Sequence, residues 1–154
     1  AQRGHLEISC LICIGAVGVT LDLANEIAEL ESITAGKARR NFNTSGYAPD
    51  PDESVLREAF AQWVKTDPRA TLGARRAQHA WNESVDLKGL STPTVVVVGE
   101  HADPSSVAAS DSLAQTLSNS TVEVLAGAGI HGPIEQPEAF ASLISRSAEE
   151  MTRS

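Results

Sequence analysis

The chain has 154 residues, of which 42% are hydrophobic and 21% charged, a balance typical of one soluble globular domain. Its net charge of −8 disfavours a nucleic-acid partner, because the phosphates of a nucleic acid would be repelled. No stretch of about 18 apolar residues predicts a membrane span, and residues 1–5 lack the apolar core of a secretory signal. We therefore expect a cytoplasmic protein without a membrane partner.

The first predicted element is a buried strand over the apolar residues 6–14. Cys10 and Cys13 lie within it at a spacing that by itself would suggest redox or metal chemistry. Side chains three positions apart on a strand point to opposite faces, so the two thiols cannot form a joint site there. We expect both cysteines to pack as small hydrophobic side chains.

The next part of the chain is predicted to be helical. Apolar side chains recur at helical spacing over residues 22–33, 53–64 and 69–81. Asp52 is suited to begin the second of these helices, and the polar segment 35–53 before it predicts a loop with little rigid structure. Phe60, Trp63 and Trp81 keep the helical spacing, and we expect them to belong to the core.

The last part of the chain alternates strands with helices. Strands are predicted over residues 94–98 and 121–125, and helices over residues 107–117 and 135–150. This alternation predicts an α/β protein with a parallel sheet. Three such apolar strands need cover on both faces and further neighbours, so we expect part of the domain to be missing. The long helical insertion after the first strand predicts a cap over the edge of the sheet.

Two loops that follow predicted strands contain the candidate catalytic residues. Asp103 ends the first loop, which follows Val98, and His131 ends the second, which follows Leu125. Parallel strands deliver side chains from their carboxyl ends to one edge of a sheet, and an Asp that orients a His is two-thirds of a nucleophilic triad. The third member is missing, because no Gly-x-Ser-x-Gly sequence occurs in the chain.

These residues resemble the carboxyl-terminal half of an α/β-hydrolase. The resemblance rests on Pro93–Glu100 before the acid loop, on Gly127-Ala128-Gly129 with the nearby His131, and on the final helix that starts at Glu135-Gln136-Pro137. Residues 1–18 resemble the end of the helix after the nucleophile elbow and the strand that follows it. The resemblance implies a partial hydrolase sheet with core residues 1–21, a helical cap over 22–86, and a second core part over 87–154.

The resemblance also implies a function. The protein would hydrolyse a small ester, a lactone or a related acyl compound, with His131 as the general base, Asp103 as the acid, and no cofactor. The nucleophile would lie about a dozen residues before Ala1, on a separate amino-terminal half or on the other product of a chain cut. An Asp nucleophile would fit epoxide or haloalkane hydrolysis equally well.

The chain departs from the family pattern at both site residues. The acid is expected at Ala102 and the histidine at Ile130, so Asp103 and His131 each stand one place late, with the same separation of 28 positions. One alternative is therefore a non-hydrolytic protein of the same fold that binds or rearranges a small ligand. Another is a structural fragment whose function is association alone.

Other assignments are open for several polar residues. Asp103 could instead form a turn with Pro104 and the two serines that follow, and Glu100 and Asp22 are reserve acids. His101 could be mistaken for a metal ligand with Asp103 and His131, but no further ligand stands at zinc-like spacing, so we expect no metal. The remaining histidines are expected on the surface or in packing, at positions 5 and 79. The glycines at positions 127 and 129 are expected to permit a tight loop, since no phosphate-binding fingerprint is present.

Overall fold

The computed structural model describes residues 8–15, 23–84 and 86–152. Its sheet consists of three parallel strands in the order β1 (Leu11–Ile14), β2 (Thr94–Gly99) and β3 (Ser120–Leu125). Leu11 pairs with Thr94, and Thr94 pairs in turn with Ser120. The α/β class and the parallel sheet are thus confirmed. The first strand is shorter than predicted, because residues 8–10 precede it and residues 6 and 7 lie outside the described residues.

The helices occupy the predicted intervals. They are α1 (Ala24–Thr34), α2 (Glu53–Lys65) and α3 (Pro68–Ser84) between β1 and β2, α4 (Pro104–Thr116) between β2 and β3, and α5 (Gly132–Glu135) and α6 (Pro137–Thr152) after β3. Asp52 begins α2 as predicted, since its carboxylate accepts a hydrogen bond from the backbone N–H of Ser54 at 2.7 Å. The predicted last helix is in fact two, because Pro137 begins a new helix just after α5.

The core lies on both faces of β2. Val95 and Val97 point to one face and pack with Leu143 of α6, whereas Val96 points to the other face and packs with Leu113 and Leu117 of α4. Side chains alternate along a strand, so the continuous apolar run of β2 needs a helix on each face to bury it. The result is a helix–sheet–helix sandwich centred on β2.

The outer strands are less well covered. Val122 and Val124 of β3 are 40% and 60% exposed, and Ile14 of β1 is 40% exposed. The apolar side chains of the outer strands are thus less buried than those of β2.

The two cysteines are free thiols with intermediate exposure. Cys13 lies in β1 and packs against Val96 and its neighbours from α4, as predicted for a small hydrophobic side chain. Burial raises the pKa of the Cys13 thiol, which keeps it protonated. Cys10 precedes β1 rather than lying within it.

The helical segment between β1 and β2 combines buried apolar side chains, such as Leu72, with ion pairs between its helices. Helix α1 packs on α3, and ion pairs join Arg75 to Glu26 at 2.8 Å and Arg76 to Glu31 at 2.7 Å. Within the described residues, no helix has the length and apolarity needed to cross a membrane.

The aromatic side chains of this segment correct one expectation. Phe60 and Trp81 are 48% and 49% exposed, and α2 contains no buried residue, so their assignment to the core is wrong. Phe60 and Trp63 instead form a surface cluster with the loop residue Phe42, with ring centroids 5.4–5.7 Å apart. The helical spacing of apolar side chains in α2 therefore reflects contact with a neighbouring loop, and these side chains are not buried under the sheet.

Candidate active site

The two loops predicted to carry the site lie side by side at the carboxyl ends of β2 and β3. The backbone N–H of Glu100 donates to the carbonyl of Leu125 at 3.0 Å, and that of His101 donates to the carbonyl of Ala128 at 2.8 Å. The carboxylate of Glu100 accepts a bond from the N–H of Gly127 at 2.8 Å. We call residues 100–103 the acid loop and residues 126–131 the histidine loop. Their contact places both loops at one edge of the sheet.

The acid loop ends in a helix cap. Asp103 precedes α4, and its carboxylate accepts hydrogen bonds from the backbone N–H groups of Ser105 and Ser106 at 3.0 and 3.1 Å. It also accepts bonds from both serine hydroxyls, that of Ser106 at 2.6 Å. The bond from Ser105, followed by that from Ser106, lowers the pKa of Asp103 to about 2. The carboxylate is therefore ionised at neutral pH and stabilises the start of α4.

The histidine loop ends at a half-buried imidazole. His131 directly precedes α5, and its ring packs on Tyr47, with 4.4 Å between ring centroids and 37° between the planes. Its Nε2 faces the backbone of Gly46, because a Cβ built on that glycine would lie 3.5 Å from this nitrogen. Burial lowers the pKa of His131, and the negative charge of Glu135 partly opposes this shift. The imidazole is therefore neutral at pH 7 and able to accept a proton.

The structure brings the two loops together without joining the two side chains. Within the described residues, Asp103 and His131 share neither a hydrogen bond nor an ion pair. The partners of Asp103 are local, at Ser105 and Ser106, and the carboxylate whose charge reaches the imidazole is Glu135.

Glu135 is the site residue that the sequence interpretation missed. Its Oε1 accepts hydrogen bonds from the backbone N–H groups of Gly129 and His131, both at 3.1 Å. Its Oε2 accepts a bond from the N–H of Ala48 at 2.7 Å. His131 lies only four positions before Glu135, so the bond between them is local and was open to prediction. The bond to Ala48, 87 positions away, was not.

Residues 46–48, which we call the covering segment, form the other wall of this region. The N–H of Ile130 donates to the carbonyl of Gly46 at 2.8 Å, and Tyr47 is only 8% exposed. A Cβ on Gly129 would collide with that same carbonyl, so glycine is needed where the two backbones meet. The prediction of a loop over residues 35–53 is confirmed, but its supposed lack of rigid structure is wrong for the covering segment.

A cleft of about 340 Å³ opens beside the acid loop. Its wall includes Asp103, Ser106 and Arg75, and it also includes Ala102 and Ile130, the two positions where the family pattern expects the acid and the histidine. A ligand in this cleft would thus touch the carboxylate side of the candidate site directly.

The remaining candidate residues have other surroundings. Glu100 joins the two loops, His101 is exposed in the acid loop, and His79 lies in α3. Asp22 and His5 lie outside the described residues. Within the described ranges, no three His, Cys, Asp or Glu side chains are grouped closely enough to hold a metal ion.

Three solved structures resemble this arrangement of strands and helices. MenH from S. aureus is 19% identical with a TM-score of 0.70, and the match covers 97% of this chain and 62% of MenH. The esterase EaEST from Exiguobacterium antarcticum is 16% identical with a TM-score of 0.70, covering 96% of this chain and 60% of the esterase. An alpha/beta hydrolase fold protein from Chitinophaga pinensis is 16% identical with a TM-score of 0.54, covering 88% and 54%.

The chain adopts part of the α/β-hydrolase fold. It spans about three fifths of the length of the first two of these proteins. No protein-family model and no curated protein sequence matches it. At these identities the likeness establishes the fold, and the chemistry of the site has to be argued from its own residues.

Proposed function

We propose that this chain supplies the base and the acid of an acyl hydrolase that acts on small esters, lactones or related compounds. The observation that carries the proposal is the direct contact of the acid loop with the histidine loop at the carboxyl ends of β2 and β3, beside a cleft of about 340 Å³. In open α/β sheets, ligands bind at this edge. The α/β-hydrolase fold is consistent with this chemistry.

In the proposed reaction, His131 takes a proton from an attacking serine and returns it to the leaving group. Its lowered pKa supports the role, since the free imidazole is neutral at pH 7. Asp103, ionised and next to the cleft, orients the imidazole and stabilises its protonated form. For this, its carboxylate exchanges a serine hydroxyl for the imidazole N–H when the site is assembled.

The nucleophile and the oxyanion donors belong to an amino-terminal half, either a separate polypeptide or the other product of a chain cut. The exposure of Ile8 and Ile14, at 59% and 40%, supports a partner along β1. A second cleft, of about 430 Å³, lies between β1 and α3 and is bordered by Leu11, Cys13 and Trp81. Unpaired strand edges with apolar surroundings favour the addition of further strands. Residues 22–86 would then form the cap over the completed site.

A second candidate is a non-hydrolytic protein of this fold that binds or rearranges a small ligand. It is favoured by the separate partners of Asp103 and His131, namely the serines of α4 and the ring of Tyr47. It is favoured further by the presence of Ala102 and Ile130 on the wall of the cleft at the family's site positions. In this alternative the cleft binds a ligand and no acyl-enzyme forms.

The two candidates are separated by labelling with a fluorophosphonate probe, whose phosphorus is attacked by an activated serine with loss of fluoride. The chain is purified from its source, and any copurifying polypeptide is identified by mass spectrometry and then labelled in the complex. Acyl hydrolysis predicts labelling within a Gly-x-Ser-x-Gly sequence of the partner, and loss of labelling in His131→Ala. Labelling at an unchanged rate in that variant would contradict the proposal, as would a complex without any labelled serine.

A further inference from the structure

The most highly bonded side chain near the candidate base is Glu135. It accepts three backbone hydrogen bonds, two from the histidine loop at Gly129 and His131 and one from the covering segment at Ala48. A carboxylate has acceptor capacity for all three bonds, and charge-assisted bonds of this kind are stronger than neutral ones. One half-buried side chain therefore connects parts of the molecule that are 87 positions apart in sequence.

The two segments joined by Glu135 enclose the imidazole of His131. The covering segment contributes the ring of Tyr47, at 4.4 Å between centroids, and the backbone of Gly46 facing Nε2. The same segment accepts the N–H of Ile130 through the carbonyl of Gly46 at 2.8 Å. The position of the imidazole thus depends on the distance between the histidine loop and the covering segment.

We infer that Glu135 is a positioning residue, which fixes the histidine loop against the covering segment and so determines where the imidazole of His131 lies. This inference rests on the proposed function only in taking His131 as the base. Glu135 acts through the backbone and touches neither a substrate nor the proposed nucleophile. Glu135 also acts through its charge, which opposes the lowering of the His131 pKa by burial. The pKa of Tyr47 is raised first by burial and then by the same charge. Tyr47 and Glu135 are the titratable groups that face the imidazole from the covering segment and from α5.

The first test uses the chain alone and requires no activity. In Glu135→Ala, amide hydrogen exchange should be about tenfold faster or more at Ala48, Gly129 and His131, since a lost bond to a charged acceptor is worth at least that factor. The amide of Glu100 in the acid loop, which donates to the carbonyl of Leu125 in β3, should exchange at an unchanged rate. Glu138→Gln, at an exposed position in the first turn of α6, is the matched control.

The second test separates the charge of Glu135 from its bonds. A glutamine at this position retains one acceptor oxygen but has no charge, so Glu135→Gln should lower the pKa of His131 in an NMR titration of its Cε1 proton. It should accelerate exchange at fewer of the three amides than Glu135→Ala does. This milder variant also keeps the test decisive if Glu135→Ala fails to fold.

The third test uses the assembled enzyme. If Glu135 positions the base, Glu135→Gln should lower the rate of fluorophosphonate labelling by about tenfold or more while Glu138→Gln leaves it unchanged. Its pH–rate profile should move to lower pH together with the pKa of His131.

Three outcomes would contradict these expectations. If the Glu135 variants had the same amide exchange rates and the same His131 pKa as Glu138→Gln, the inference would be overturned. Faster exchange with an unchanged labelling rate would overturn the positioning role. Absence of labelling in the unmodified complex would instead contradict the acyl hydrolase, while the amide and titration results would still decide the contacts of Glu135.

Discussion

The acid loop and the histidine loop leave neighbouring strands in the same direction, yet their candidate site residues, Asp103 and His131, are held by different kinds of contact. Asp103 obtains its hydrogen bonds from residues two and three positions further along the chain. His131 depends on Tyr47 and, through Glu135, on Ala48. Asp103 is thus positioned by local helix capping, and His131 by tertiary contact. Substitutions near Asp103 should have local effects, whereas substitutions near His131 should affect two segments together.

The largest effect is expected at the candidate base. If the proposed hydrolase is correct, His131→Gln should lower the rate at which the fluorophosphonate reacts with the complex by about 10⁴-fold or more, since removal of a triad member has effects of this order. The measurement is the rate of fluorophosphonate labelling. His101→Gln, in the exposed part of the acid loop, is the control and should leave the rate near that of the unmodified protein. Equal rates in the two variants would contradict the assignment of the base.

The next largest effect should come from the tertiary contact of the histidine loop. Gly129→Ala places a Cβ against the carbonyl of Gly46, and the resulting displacement should lower the free energy of unfolding by about 1–3 kcal/mol. Gly73→Ala is the control, because this glycine lies in α3 with no atom near its Cβ position. There the substitution should raise stability by about 0.5–1 kcal/mol. Urea denaturation measures both, and a Gly129→Ala protein as stable as Gly73→Ala would show that the backbones are not in contact.

A smaller effect is expected for the local cap. Asp103→Ala should lower the free energy of unfolding by about 0.5–2 kcal/mol, because the first turn of α4 loses its acceptor. Asp103→Asn should be nearly neutral for stability, since asparagine caps a helix about as well. The same pair separates capping from catalysis in the labelling assay. If Asp103 is the acid, labelling in the complex falls in both variants, whereas a purely structural role leaves Asp103→Asn fully active.

The smallest expected effect is a dependence of stability on pH. Burial lowers the pKa of His131 in the folded chain, so between that value and the ordinary 6.5 the unfolded state binds more protons. Stability should therefore fall as the pH is lowered through the range just below 6.5. Urea denaturation at several pH values should show a shallower decline in His131→Gln than in His101→Gln. An identical slope in the two variants would contradict burial of the imidazole.

The difference between local and tertiary contacts also explains how much of the fold could be predicted from the sequence. The apolar run of β2, the helix start at Asp52 and the alternative role of Asp103 as a turn former all depend on neighbouring residues, and the structure has all three. The contact of the two loops was also predictable, since parallel strands end at one edge. Periodicity alone cannot show that α2 faces a loop, and for this reason it predicts a core position for Phe60 that the structure does not have.

The candidate site was predictable only in part for the same reason. His131 could be singled out from the loop that contains it, but its stacking partner Tyr47 lies in a polar segment with no periodic pattern. Nothing in the sequence near Glu135 indicates a bond to Ala48. Contacts between segments so far apart depend on the assembled fold, which local propensities do not specify.

One carboxylate shared by two distant segments has a consequence for protein engineering. The loop between α1 and α2 cannot be exchanged as an independent module, because a grafted loop must present an N–H to Glu135 and a glycine carbonyl to the backbone of Ile130. A chimera that exchanged this loop would therefore also change the surroundings of the imidazole of His131.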